Sequence, residues 1–449
     1  MKFIETLKNI YKIEDLRNRI LFTLGLILIY RLGSFVVLPG IDPNGLDKLA
    51  AQSDDGLLSL INMFSGGAFA NASVFALGIM PYISASIVIQ LMGIAIPYFQ
   101  RLQREGESGR KKITQITRFL TIFITAAQAP GYITNLQYQI PEAIVNNTGF
   151  FWISSIIILI AGTMFVMWLG ERITDKGIGN GISMIIMIGI IANFPSSLVQ
   201  EFGVRMEGAG GLIMFLVEIL LLLAIITLSI MLVQGTRRIP VQYAKRVVGN
   251  KQYGGVRQYL PLKVNAAGVM PIIFAQALMF IPLTFAGFST SDNMSSFVST
   301  FSDFTSFWYN FVYAVMIILF TYFYTAITMN PQQIAEELKR NGGFIPGVKP
   351  GKSTANFIDN VISRITLPGS FFLAFVAILP AIAMLMGVSN SFAYFYGGTS
   401  LLIIVGVILD TLQQIESHLL NRHYDGLMKN GRIKGRSTNS AIYQNTQSI

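Results

Sequence analysis

Apolar runs of about 20 residues recur ten times between residues 20 and 415 of this 449-residue chain, and no water-soluble core has room for that many. A hydrocarbon layer about 30 Å thick is crossed by a helix of that length. The runs lie at 20–38, 73–97, 115–134, 150–170, 181–199, 211–235, 266–287, 306–328, 366–387 and 396–415. Only 12% of the residues are charged, about half the share found in soluble domains. The chain therefore reads as an all-α integral membrane protein with ten transmembrane helices.

A net charge of +10 invites a nucleic-acid reading, but the placement of the bases argues otherwise. Lys and Arg concentrate before the first run, after the last, and in alternate loops. Lys48 and Arg205 stand apart in the opposite loops, and Arg31 lies inside the first run. That asymmetry is the positive-inside pattern, and it places both termini in the cytoplasm. Residues 1–19 are polar and charged, so no cleaved leader is expected and the first run itself should direct insertion. Cysteine is absent and histidine occurs only as His418 and His423, which excludes disulfides and all but excludes thiolate or histidine-cluster metal sites. No cofactor is expected.

Two loops on the basic side, 236–265 and 330–365, far exceed the 2–8 residues that usually join helices, and loops of that length more often bind something. The opposite loops are short or acidic, as with Asp42, Asp47, Asp54 and Asp55. Ten spans divide into five and five, giving an N-terminal half at 1–200, a C-terminal half at 201–425 and a polar tail at 426–449. An odd number of spans per half makes any repeat inverted, the arrangement that puts a pathway at the repeat interface. Between the first two spans, LLSLINMFSGGAFA at 57–70 is apolar but too short to cross. It reads as a re-entrant or interfacial helix.

Chemistry-bearing residues are sparse. PGVKPGKST at 346–354 ends like a phosphate-binding loop, but Pro346 replaces the required glycine and Pro350 removes an amide donor, so nucleotide binding is not expected. Arg31, Glu218 and Asp410 are the clear ionisable residues within spans, and snorkelling or a buried pair accounts for them. Gln90, Gln128 and Gln276 sit mid-span and could hydrogen-bond across helices. Ile79 and Ile83 share one helix face, as do Ile186 and Ile190, yet spacing alone does not separate them from lipid-facing isoleucines. On the residues alone, a small-solute transporter, an anchoring protein and a channel all remain open, with the lack of a central carboxylate counting against the transporter.

Eight strings narrow the choice: PGID at 39–42, NMFSGGAFANASVFALGIMPYISAS at 62–86, REGESGRKK at 104–112, GERITDKGIGNGIS at 170–183, QYAKRVVG at 242–249, LPLKVNAAGVMP at 260–271, FIPGVKPGKSTANFID at 344–359 and YGGTSLLI at 396–403. In kind and order they resemble the SecY family of bacterial protein-conducting channels. The resemblance implies two inverted five-helix halves, hinged near the fifth and sixth spans, around a pore for unfolded secretory polypeptides that also releases hydrophobic segments sideways into the bilayer. It implies a passive channel in the bacterial inner membrane, with ATP hydrolysis supplied by a separate motor.

Carried onto this sequence, the resemblance nominates Ile79, Ile83, Ile186, Ile190, Ile273 and Ile403 as a pore ring. Aliphatic side chains at a waist exclude water and ions by dewetting while offering no fixed hydrogen bonds to a passing chain. The segment at 57–70 becomes a plug, with Leu57, Leu60, Met63, Phe64, Gly66, Gly67 and Ala68 as its sealing residues. Gln90, Gln128 and Gln276 become a polar latch at a lateral gate between the second and third spans and the seventh and eighth. The long loops become docking sites for the ribosome and the SecA motor through Arg246, Lys251, Arg257, Lys339, Arg340 and Lys349. Lys349 departs from the arginine of the enterobacterial members, exchanging a planar fork for a point charge. The membrane partners implied are SecE and SecG, and the substrates are preproteins bearing signal peptides.

Overall fold

The computed structural model describes residues 13–43, 62–139, 148–208, 211–243, 246–248, 251–253, 257–286 and 305–430. Each predicted span contains a helix: α1 (Glu14–Gly33), α2 (Met80–Ala95), α4 (Glu107–Gln139), α5 (Gly149–Lys176), α6 (Gly181–Glu207), α7 (Gly211–Gln234), α8 (Met270–Ala286), α9 (Phe307–Thr328), α11 (Lys352–Leu385) and α13 (Gly398–Asn430). Short helices α3 (Pro97–Arg104), α10 (Pro331–Arg340) and α12 (Asn390–Ala393) lie between them. Six of the long helices meet length and composition criteria for crossing a membrane on their own. The chain turns through 101° between α2 and α3, where Pro97 opens α3.

Local chemistry sets several boundaries. The Asn180 side chain accepts the Ile182 and Ser183 amides to start α6, and Asn330 does the same for α10 through Gln332 and Gln333. The first helix ends at Gly33, five residues short of the predicted span, because 36–38 instead pairs with the segment leading to α2. The Leu38 amide donates to Ala72 O and the Val74 amide to Val36 O, forming a bridge between Val37 and Ser73. The second helix correspondingly starts at Met80, not near residue 73.

The two long loops form one unit. Strands β1 (Thr236–Tyr243) and β4 (Arg257–Lys263) pair antiparallel, and β5 (Gly343–Phe344), from the second loop, joins the other edge of β1 with Gln242 opposite Phe344. Strands β2 (Arg246–Val248) and β3 (Lys251–Tyr253) form a separate two-stranded ribbon. Ile239, Val241 and Leu262 bury against Leu338, Ile345 and Ile358 of the second loop and α11. Alternation of buried and exposed residues along β1 is the period-2 pattern expected of a sheet with one covered face.

Candidate pore and its cap

A cavity of about 410 Å³ lies where α2, α4, α6, α8 and α13 converge. Ile83 of α2, Ile186 of α6, Ile273 of α8 and Ile403 of α13 all line it. Four nominated ring residues, each from a different helix, thus meet at one place. The other two, Ile79 and Ile190, are 2% and 0% exposed in the adjoining core with Met63, Phe64 and Ala68. Helical spacing explains the division: residues four apart share a face but sit about 6 Å apart along the axis, so one member of each pair reaches the cavity and the other the packing around it.

Phe64 contacts that cavity from the segment preceding α2. A single helical turn at 62–65 is followed by turns through residue 79. Met63, Phe64 and Ala68 are buried, and Leu57 and Leu60 lie outside the described residues. Gly66 and Gly67 both have positive φ, +68° and +88°, conformations that L side chains disfavour. At Gly66 there is a second demand, because a Cβ there would stand 2.8 Å from the Gly189 Cα of α6. Two glycines let the capping segment and α6 touch backbone to backbone.

Polar contacts fix the same segment from outside. The Tyr30 hydroxyl donates to Ser65 O at 3.0 Å, Arg31 Nη1 donates to Gly66 O at 2.6 Å, and the Tyr132 hydroxyl donates to Phe69 O at 3.0 Å. Within the segment, Asn62 Oδ1 accepts the Ala70 amide and Ser65 Oγ accepts the Phe69 amide. Arg31 therefore does not snorkel. Its guanidinium also lies 5.2 Å from the centroid of the Phe35 ring, which covers part of the charge.

Of the three glutamines, Gln128 and Gln276 line the cavity, on α4 and α8. Gln276 also accepts a 3.4 Å contact from the Thr399 hydroxyl, while Gln90 lies off the cavity and its amide reaches Ser86 on its own helix at 3.4 Å. Ser84, Tyr132 and Asn135 complete the polar part of the lining. No sequence pattern marked these three, because a lone polar residue in a span has no periodic signature.

Glu218 belongs to a buried ion cluster whose members do not line the cavity. Arg205 Nε pairs with Glu201 Oε1 at 3.0 Å, and Arg205 Nη2 lies 2.5 Å from Glu218 Oε1. Glu201 was missed in the sequence, although Arg205 stood out as an exception to the charge asymmetry. Asp410 instead lines a separate crevice with Lys263 and Asn265. Among the proposed docking residues, Lys339 and Arg340 end α10 and are exposed, as is Lys349, whose carbonyl accepts the Thr354 hydroxyl at 2.9 Å. Arg246, Lys251 and Arg257 fall on β2, β3 and β4.

Comparison with known proteins gives the family and the fold. A profile of the SecY family matches residues 73–412. The protein translocase subunit SecY of Streptomyces scabiei is 43% identical over 434 residues, covering 93% of this chain and 98% of that protein. Its namesake in Halalkalibacterium halodurans is 45% identical over 431 residues, covering 94% and 99%. Among solved structures, one of a protein-conducting channel has a TM-score of 0.60 at 16% identity, covering 92% of this chain and 94% of that one. Sec61 in a canine ribosome–channel complex gives 0.55 at 15% identity, with the same coverage. At those identities the structures speak for the fold.

Proposed function

The chain belongs to the SecY family of protein translocase subunits, and from that premise we propose how its own residues conduct a polypeptide. It is a multi-pass membrane channel subunit, and in this reading it is a passive conduit with no catalytic chemistry of its own. Unfolded secretory chains pass through a waist formed by Ile83, Ile186, Ile273 and Ile403, with Ile79 and Ile190 in the supporting layer. The observation that carries this reading is the convergence of four aliphatic side chains from four helices on one cavity that Phe64 also touches.

A waist of this chemistry suits its task. Aliphatic walls give water no hydrogen-bonding partners, so a narrow passage dries and stops ions, while a polypeptide of any sequence slides without being held. The segment at 57–70 acts as the plug. Its removal strips Met63 and Phe64 of their cover, each worth about 1.5–3 kcal/mol of burial. Gln128 and Gln276 line the same cavity from α4 and α8, so separation of those helices opens a lateral path into lipid for hydrophobic segments.

The halves at 1–200 and 201–425 move about the junction of α6 and α7, with the tail at 426–449 outside them. The joined loop unit presents Arg246, Lys251, Arg257, Lys339, Arg340 and Lys349 to the ribosome or the SecA motor, which supplies the ATP hydrolysis. SecE and SecG accompany the chain in a bacterial inner membrane, with both termini cytoplasmic. Loop length and charge asymmetry support that orientation.

Vesicles containing the chain, its membrane partners, the motor and ATP should protect an added secretory precursor from external protease. Absence of protection, in vesicles where a known translocase works, would remove the channel reading.

A further inference from the structure

The plug's attachments lie on one side of the pore. Among the described residues, every side-chain hydrogen bond to its backbone from outside the segment comes from α1 or α4: Tyr30 to Ser65 O, Arg31 to Gly66 O and Tyr132 to Phe69 O. Its backbone-to-backbone contact with Gly189 is to α6. All three helices belong to the N-terminal half. Toward α8 and α13 of the other half, the plug offers the Phe64 and Phe69 side chains to the largely apolar cavity that Ile273 and Ile403 also line. One side of the seal is hydrogen-bonded and the other is greasy contact.

We propose that Arg31, Tyr30 and Tyr132 form a latch that carries the plug with the N-terminal half and sets how readily the channel opens, Arg31 being its principal positioning residue. The proposal rests on 57–70 being the plug. Three features support it. All three donors address main-chain carbonyls, so the latch reads the plug's backbone path and tolerates changes in its side chains. Gly66 O receives a charged donor, and bonds to charged groups are the stronger class. Without Arg31 the buried Gly66 carbonyl is unsatisfied in the closed state but hydrated once the plug leaves, whereas Phe69 O loses its second donor and keeps the Ala72 amide, so loss of either donor favours opening and loss of Arg31 more strongly.

The consequence is a threshold. A strong signal segment overcomes the latch, a defective one does not, and a weakened latch should admit precursors that the native channel refuses. Tyr132 also lines the cavity, so a segment entering there meets the helix that holds the plug.

The chain has no cysteine, so a single introduced one reports cleanly. Ala70→Cys places a thiol at a position only 4% exposed. In vesicles with its membrane partner subunits, this protein should react slowly with a maleimide added from outside. Adding Arg31→Gln should speed labelling about 10-fold and raise resting ion leak, with Arg31→Lys restoring most of the native rate. Tyr132→Phe keeps the ring edge-on to Phe69 and removes one neutral donor, so about a 5-fold rise is expected even if the arginine variants fold poorly. Deletion of 57–70 serves as the reference. If deletion raises leak while Arg31→Gln and Tyr132→Phe label at the native rate, the latch is wrong and the plug stands. If deletion leaves leak unchanged, the plug reading itself falls.

Discussion

Glu201 and Ser389, 188 positions apart, are joined by a 2.9 Å hydrogen bond in which the Ser389 amide donates to Glu201 Oε2. The carboxylate is on α6, and the amide is in the turn between α11 and α12. Beside it Arg205 Nη2 donates to Gly387 O at 2.8 Å while the same guanidinium pairs with Glu201 and Glu218. One cation and two carboxylates, all buried, tie α6 to α7 and to the turn that follows α11. A gate that opens elsewhere needs such a fixed point to turn about.

Removing the cation should be costly. Arg205→Met leaves Glu201 and Glu218 as neighbouring buried carboxylates and deprives Gly387 of its donor, and breaking a buried ion pair from one side costs about 3–5 kcal/mol. The expected result is a markedly shorter half-life of the detergent-purified protein at elevated temperature. Glu218→Gln should be neutral or mildly stabilising, because it leaves one carboxylate for one guanidinium. A native half-life for Arg205→Met would mean the cluster carries no stability.

The two members of this cluster that stood out in the sequence did so for physical reasons: Glu218 is a charge inside an apolar run, and Arg205 breaks the positive-inside pattern. Glu201 has neither distinction, lying in a polar stretch between spans. Arg31 was visible as an intramembrane charge, yet its partner is a backbone carbonyl, and carbonyls leave no trace in a sequence. The ten helices were legible because apolar length is a strong signal. Their ends were less so: residues 34–38 are apolar enough to extend the first span, but a bridge to Ser73 takes over their hydrogen bonds. Strand β1 was legible in principle, since Ile239 and Val241 alternate with exposed neighbours, but its bases and proline disguise it as loop. The ring isoleucines came from resemblance alone, as periodicity does not tell a cavity from lipid.

The paired glycines of the proposed plug give a matched comparison. Gly66→Ala meets both a backbone penalty of about 1–2 kcal/mol at φ +68° and a collision with the Gly189 Cα, which cannot swing aside as a side chain would. Gly67→Ala bears only the backbone penalty at φ +88°, its nearest neighbour being Asn193 Oδ1 at 3.8 Å. Resting ion leak through vesicles should therefore rise more for Gly66→Ala than for Gly67→Ala. Equal leak in the two variants would show that close approach to α6 is not what seats the plug.

The waist is tested most sharply by neighbours on one helix. Ile403 and Ile404 are consecutive on α13, and a helix turns about 100° per residue, so their side chains address different surroundings. Ile403 lines the cavity with Ile83, Ile186 and Ile273, whereas Ile404 lines a separate apolar groove with Ile191 and Leu222. Ile403→Asn puts an amide at the proposed constriction, where it gives water a partner, so conductance of the resting channel should rise. Ile404→Asn introduces the same amide at nearly the same depth, so its cost should appear as lowered stability with native resting conductance. Single-channel recording in planar bilayers separates the two. A leak of equal size from both variants would show that any polar group on α13 loosens the bundle, and Ile403 would lose its place in the ring.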